Sequence, residues 1–94
     1  MAKLEGKVAL ITGAAVGLGE GIAEVYAKYG AKMCMVDLSP EVEKTADRLR
    51  KEYGADIITY VGNVADKAQM KEAAAKTAEK FGEINVCCCN AGVC

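Results

Sequence analysis

The segment Thr12-Gly13-Ala14-Ala15-Val16-Gly17-Leu18-Gly19 constrains this chain more than any other. Before it runs Lys7 to Thr12 (KVALIT), short, apolar and β-branched, which reads as a strand buried on both faces. After it, Leu18, Ile22, Val25, Tyr26 and Tyr29 recur at steps of three and four. That stripe predicts an amphipathic helix from Gly17 to Tyr29, stopped by Gly30 in a left-handed cap. A strand turned by glycines directly into a helix places the chain in the α/β class.

The same alternation continues to the end. Lys32 to Val36 (KMCMV) is a second strand, ending at Asp37. Ser39-Pro40-Glu41 opens a second helix, with Ser39 as N-cap, Pro40 at the first helical position and Glu41 at the positive dipole end. Its inner face carries Val42, Ala46, Leu49 and Tyr53, and Gly54 closes it. Asp56 to Val61 is a third strand. Asp66 with Gln69 resembles a capping box and starts a third helix, with Met70, Ala73, Ala74, Thr77 and Phe81 facing in. Gly82 ends that helix, and Ile84 to Cys89 is the fourth strand. The string β-α-β-α-β-α-β predicts a parallel, doubly wound sheet of Rossmann type in the order 3-2-1-4, incomplete at its fourth strand. A crevice then opens between strands one and four at their carboxyl ends, where the glycine loop falls.

Composition narrows the function. Twelve basic against thirteen acidic residues leave a net charge of -1, with no basic field for nucleic acid or an anionic membrane. Histidine is absent, which removes Ser/His/Asp and Cys/His catalysis and every His-bearing zinc site. No apolar run reaches a bilayer span and no signal peptide pattern opens the chain, so a cytoplasmic protein is expected. The five cysteines, Cys34, Cys87, Cys88, Cys89 and Cys94, include no Cys-x-x-Cys pair. They are expected to act as small hydrophobes that fill packing positions, with no metal site.

The glycine loop carries chemistry. Glycines at 13, 17 and 19 permit a tight turn and a close backbone approach to a ligand, and the helix beyond offers unpaired N–H groups to a pyrophosphate. No lysine follows the last glycine, which excludes a Walker A loop. Asp37, closing strand two, can accept hydrogen bonds from an adenosine ribose and would repel a 2′-phosphate. No Arg or Lys lies in the loop, and none follows Asp37 before Lys44. The expected preference is therefore NAD over NADP.

Thr12-Gly-x-x-x-Gly-x-Gly19, Asp37, Asn63-Val64 after strand three and Asn90-Ala91-Gly92 after strand four together resemble the N-terminal half of a short-chain dehydrogenase/reductase. The resemblance covers essentially the whole chain. It implies that Gly13, Gly17, Leu18 and Gly19 line the cofactor pyrophosphate and that Asp37 holds the adenosine ribose. Asn63 and Val64 would flank the adenine, the side chain and backbone of Asn63 reading its edge. Asn90, Ala91 and Gly92 would pass beneath the ribose and brace the central strands. Two positions depart from the family pattern. Cys89 stands where an Asn is usual, and Asn63 stands where Asp is frequent.

The family's catalytic Ser, Tyr-x-x-x-Lys and further Asn lie beyond strand four, and no catalytic residue is named among these 94. Tyr26, Tyr29 and Tyr53 belong to packing stripes, and Tyr60 lies away from the nicotinamide end. The open edge of strand four and the small core mark the 94 residues as a dinucleotide-binding fragment of a longer chain. The expected parent is an NAD-dependent oxidoreductase moving hydride between nicotinamide and a secondary alcohol or ketone, homo-oligomeric at full length. The alternatives are a stand-alone NAD or adenosine-nucleotide module without turnover, and a fragment that self-pairs through strand four.

Overall fold

The computed structural model describes residues 4–89, and Cys89 by its backbone alone. Its elements run β1 (Val8–Thr12), α1 (Gly17–Lys28), β2 (Lys32–Asp37), α2 (Glu41–Tyr53), β3 (Ile57–Val61), α3 (Lys67–Phe81) and β4 (Val86–Cys89). All strand pairs are parallel, in the order β3-β2-β1-β4. The registers Leu10↔Cys34, Leu10↔Cys87 and Cys34↔Ile58 carry one row across all four strands. The anticipated topology is the observed one, and the sheet stays open at both edges.

Two layers of core follow from the two-residue period of the strands. On one face Ala9, Ile11, Met33, Met35 and Ile57 pack against Ala23 and Ala27 of α1 and Val42, Ala46 and Leu49 of α2. On the other, Leu10, Cys34 and Val36 meet Ala73 of α3, with Ile58, Tyr60, Val64, Met70 and Ile84 at the margin. β1 is buried along its entire length because helices cover both of its faces.

The inner face of α1 differs from the expectation. Leu18 is 75% exposed and Val25 49% exposed. The buried seam is Gly19, Ala23 and Ala27, with Ile22 and Tyr26 beside it. The reason is steric, since small residues at every fourth position let the helix axis lie close to the sheet. Large side chains on that line would hold it away. The cap of α3 is also only half of a capping box. Asp66 accepts from the N–H groups of Ala68 and Gln69, as expected. The Gln69 side chain, however, does not return to the Asp66 N–H. Its amide nitrogen donates to Asp66 Oδ2 at 3.1 Å and its oxygen accepts from the Asn63 N–H at 2.7 Å. At α2 the helix begins at Glu41, one residue after Pro40, while the Ser39 hydroxyl accepts from the Glu41 N–H at 3.1 Å. Gly54 and Gly82 close α2 and α3 in left-handed conformations.

The cysteines divide. Cys34 is buried in the core and Cys88 is half-buried, its thiol 3.6 Å from the Tyr26 hydroxyl. Cys87 is exposed on the edge strand, contrary to the packing role expected of it. An edge strand covered on one side only turns alternate residues outward. Among the described residues no helix is long and apolar enough to cross a membrane.

Candidate functional site

The turn from β1 into α1 lies at the carboxyl ends of the strands. Gly13 and Gly17 have φ of 62° and 64°. Gly17 has open space around it, so a side chain there would meet backbone strain and no steric obstacle. Gly19 is the reverse case: a Cβ would stand 1.8 Å from the Gly13 carbonyl oxygen, closer than any atom can sit. The helix start is thereby packed directly onto the turn.

The two halves of this loop differ in character. Ala14 and Ala15 are buried, whereas Val16, Gly17 and Leu18 are exposed. The Ala14 N–H donates to the Val36 carbonyl at 3.2 Å, and the Ala15 N–H to Asp37 Oδ2 at 3.0 Å. The Ala15 carbonyl accepts from the Thr45 hydroxyl at 2.7 Å. At the exposed half the helix N-cap is Val16, which supplies no side-chain hydrogen bond. The first N–H groups of α1 therefore have no side-chain cap and stand at the positive end of the helix dipole; Gly17 and Leu18 among them are exposed and Gly19 is buried. Glu20 is the acid in that first turn, and its carboxylate is engaged 3.0 Å away by Arg48.

Asp37 sits opposite. Besides the Ala15 N–H, its carboxylate accepts from the Ser39 N–H at 2.9 Å. An ionised carboxylate offers about four lone-pair positions, so acceptor capacity remains on both oxygens. Gly13, Asp37, Leu38, Gly62 and Val64 enclose a crevice of about 80 Å³ between the ends of β1, β2 and β3. Larger open hollows lie at the outer edge by Thr59 and Lys76 and beneath the start of α3, away from the glycine loop. Asn63 is exposed, with Oδ1 accepting from the Ala65 N–H and its own N–H donating to Gln69. The neighbouring Val64 N–H has no partner among the described residues.

The structure thus brings Gly13, Gly17, Leu18, Gly19, Asp37 and Val64 to one end of the sheet, with Asn63 at its margin. Asn90, Ala91 and Gly92 lie outside the described residues. Sequence reasoning passed over Leu38, Thr45 and Gly62, and took Gln69 only as a capping-box partner. Only Leu38, an apolar residue following the strand-ending acid, left a local signal. The tyrosine hydroxyls of Tyr53 and Tyr60 are turned to Glu24 and Glu72, and Tyr26 to Cys88, all outside the crevice.

A parallel sheet in this order, with a glycine turn into an uncapped helix and an acid at the end of the next strand, defines a Rossmann-type domain. The chain belongs to the short-chain dehydrogenase family, whose family model matches residues 7–94. Oxidoreductase UcpA of Escherichia coli K12 is 47% identical over 94 residues, covering 100% of this chain and 35% of that protein. Carveol dehydrogenase of Mycobacterium avium, solved in complex with NAD, superposes with a TM-score of 0.90 at 31% identity, over 99% of this chain and 38% of that one. L-Sorbose reductase of Gluconobacter frateurii, solved with NADPH and L-sorbose, gives 0.87 at 28% identity, over 92% and 33%. The chain spans about a third of the length of these relatives.

Proposed function

We propose that these 94 residues form the adenosine- and pyrophosphate-binding part of a nicotinamide-dependent oxidoreductase, and that the whole protein moves hydride between NAD and a secondary alcohol or ketone. The carrying observation is the placement, at one end of the sheet, of the uncapped N-terminus of α1 and of the Asp37 carboxylate, which the Ala15 N–H ties to the glycine loop at 3.0 Å. The bound nicotinamide supplies the hydride chemistry. Backbone N–H groups at Gly17, Leu18 and Gly19 hold the pyrophosphate, and Gly13 gives the turn its shape. The remaining lone pairs of Asp37 accept the ribose hydroxyls. Leu38 and Val64 pack against the adenine, whose ring nitrogen takes the open Val64 N–H, with Asn63 at its edge. Asn90, Ala91 and Gly92 keep the bracing role that family resemblance implies.

The preference for NAD rests on charge. A 2′-phosphate carries about two negative charges at neutral pH, and the Asp37 carboxylate would face it without a screening cation in the loop. Solved relatives carry either NAD or NADPH, and Asp37 is the residue expected to favour NAD in this chain. Isothermal titration with each cofactor tests this directly. NAD+ should bind at least about tenfold more tightly than NADP+, the scale of one charge-assisted hydrogen bond. Asp37→Ala should narrow that ratio while weakening both, because the Ala15 N–H loses its acceptor. Equal affinities in the unsubstituted chain would overturn the preference. For the 94 residues by themselves a second reading is nucleotide binding without turnover, since the hydroxyls of Tyr26, Tyr53 and Tyr60 are engaged away from the crevice. Alcohol-dependent NAD+ reduction by the whole protein decides between the two.

A further inference from the structure

We infer that Thr45, on α2, is a positioning residue for the dinucleotide, holding the glycine loop in the shape that receives the pyrophosphate. The inference rests on the reading of that loop as a dinucleotide site. Ala15 is gripped from both sides: its N–H by Asp37 Oδ2 at 3.0 Å, its carbonyl by the Thr45 hydroxyl at 2.7 Å. Thr45 stands thirty positions further along the chain and is 9% exposed. Its other contact, the Glu41 carbonyl one turn back, is longer at 3.3 Å, so the single hydroxyl proton is directed mainly to Ala15. Among the described residues no other side chain donates to that carbonyl.

The geometry gives the bond its consequence. Ala15 is the last buried residue before α1, and Val16, the next, is the N-cap of that helix. The Ala15 carbonyl and the Val16 N–H share one peptide plane, and the N–H groups that follow are those assigned to the pyrophosphate. Without the Thr45 hydroxyl the carbonyl loses its donor in a buried setting, and the plane gains by rotating it toward water. That rotation re-aims the start of the helix. Asp37 acts on the ribose as well as the loop, whereas Thr45 acts on the loop alone. Loss of Thr45 should therefore weaken every dinucleotide equally.

The test uses the 94-residue chain with NAD+ and NADP+ as probes. Thr45→Val keeps the volume and removes the donor. It should weaken both cofactors by about tenfold with their ratio unchanged, and speed amide exchange at Ala15 by a similar factor without ligand. Thr45→Ser, which restores the hydroxyl, should stay within about twofold of the original. A folded Thr45→Val chain with unchanged affinity and unchanged exchange would assign Thr45 a packing role only. In the unsubstituted chain NAD+ should also slow exchange of the Thr45 hydroxyl proton, since coupling is reciprocal. No slowing there overturns the proposal even where Thr45→Val does not fold. If the unsubstituted chain binds neither cofactor, the dinucleotide reading falls and this positioning role falls with it. Amide exchange in Thr45→Val then reports only whether the hydroxyl shapes the loop.

Discussion

At Gly19 there is no room for even one carbon beyond Cα, because the Gly13 carbonyl oxygen occupies the place where it would stand. Gly19→Ala must push the turn from the helix or unwind the first turn of α1, and both displace the N–H groups assigned to the pyrophosphate. We expect a stability loss of about 2 kcal/mol, in the range of forced overpacking, and at least a tenfold loss of NAD+ affinity. Urea denaturation and calorimetric titration check the two. Asp37 has a different cost at the same scale. Its carboxylate anchors both Ala15 and Ser39 before any ligand arrives, so its removal affects loop order as well as ribose recognition. A substitution there that removes the side-chain oxygens, such as Asp37→Ala, would leave the Ala15 N–H without its acceptor.

At the scale of elements, α1 and α2 are joined across their outer surfaces by a polar network. Arg48 reaches Glu20, Glu24 and Glu52, and the Tyr53 hydroxyl donates to Glu24 at 2.8 Å. That bond pushes Tyr53 up from 10.0 to about 12 and holds Glu24 below its ordinary 4.5. A raised tyrosine stabilises the fold fully below its unfolded value, and the contribution disappears as pH rises toward the folded one. A lowered glutamate contributes above its unfolded value and is lost as pH falls through the folded one. The stability margin of the parent chain over Tyr53→Phe should thus be flat between pH 4.5 and 10.0 and shrink on either side. A series of urea midpoints against pH measures it. At α3 the anchor is Asp66, which takes two backbone N–H groups and the Gln69 amide. Asp66→Ala should cost about 1 kcal/mol, read from the same denaturation experiment. It should also loosen the Asn63–Val64 loop, because Gln69 ties that loop to the cap.

For the whole molecule, the candidate site lies where the carboxyl ends of β1, β2 and β3 meet the start of α1, so binding there would be linked to folding. NAD+ at a hundred times its dissociation constant should raise the unfolding free energy by about 2.7 kcal/mol, visible as a higher urea midpoint. NADP+ at the same concentration should raise it less, and no shift with either would exclude a preformed site in this chain. Much of this was readable in advance from local pattern. The two-residue and 3.6-residue periods, the glycines that end helices and the apolar strands determined the order β-α-β-α-β-α-β. With right-handed crossovers and a doubly wound arrangement, that string carried the expected sheet order 3-2-1-4 and the placing of the glycine loop and Asp37 at one end. The periods and the capping glycines lie in neighbouring residues, where sequence and conformation are directly coupled. The tertiary structure alone decided which side of α1 is buried, since that depends on how closely Gly19, Ala23 and Ala27 let the helix approach the sheet. It alone decided that Asp37 and Thr45 grip Ala15 from positions 22 and 30 residues away, and that Gln69 latches Asn63 in place of completing a capping box. A hydroxyl or amide on a helix carries no mark of its partner in the sequence. Only the packing of α2 and α3 on the sheet selects which buried carbonyl or N–H it must satisfy.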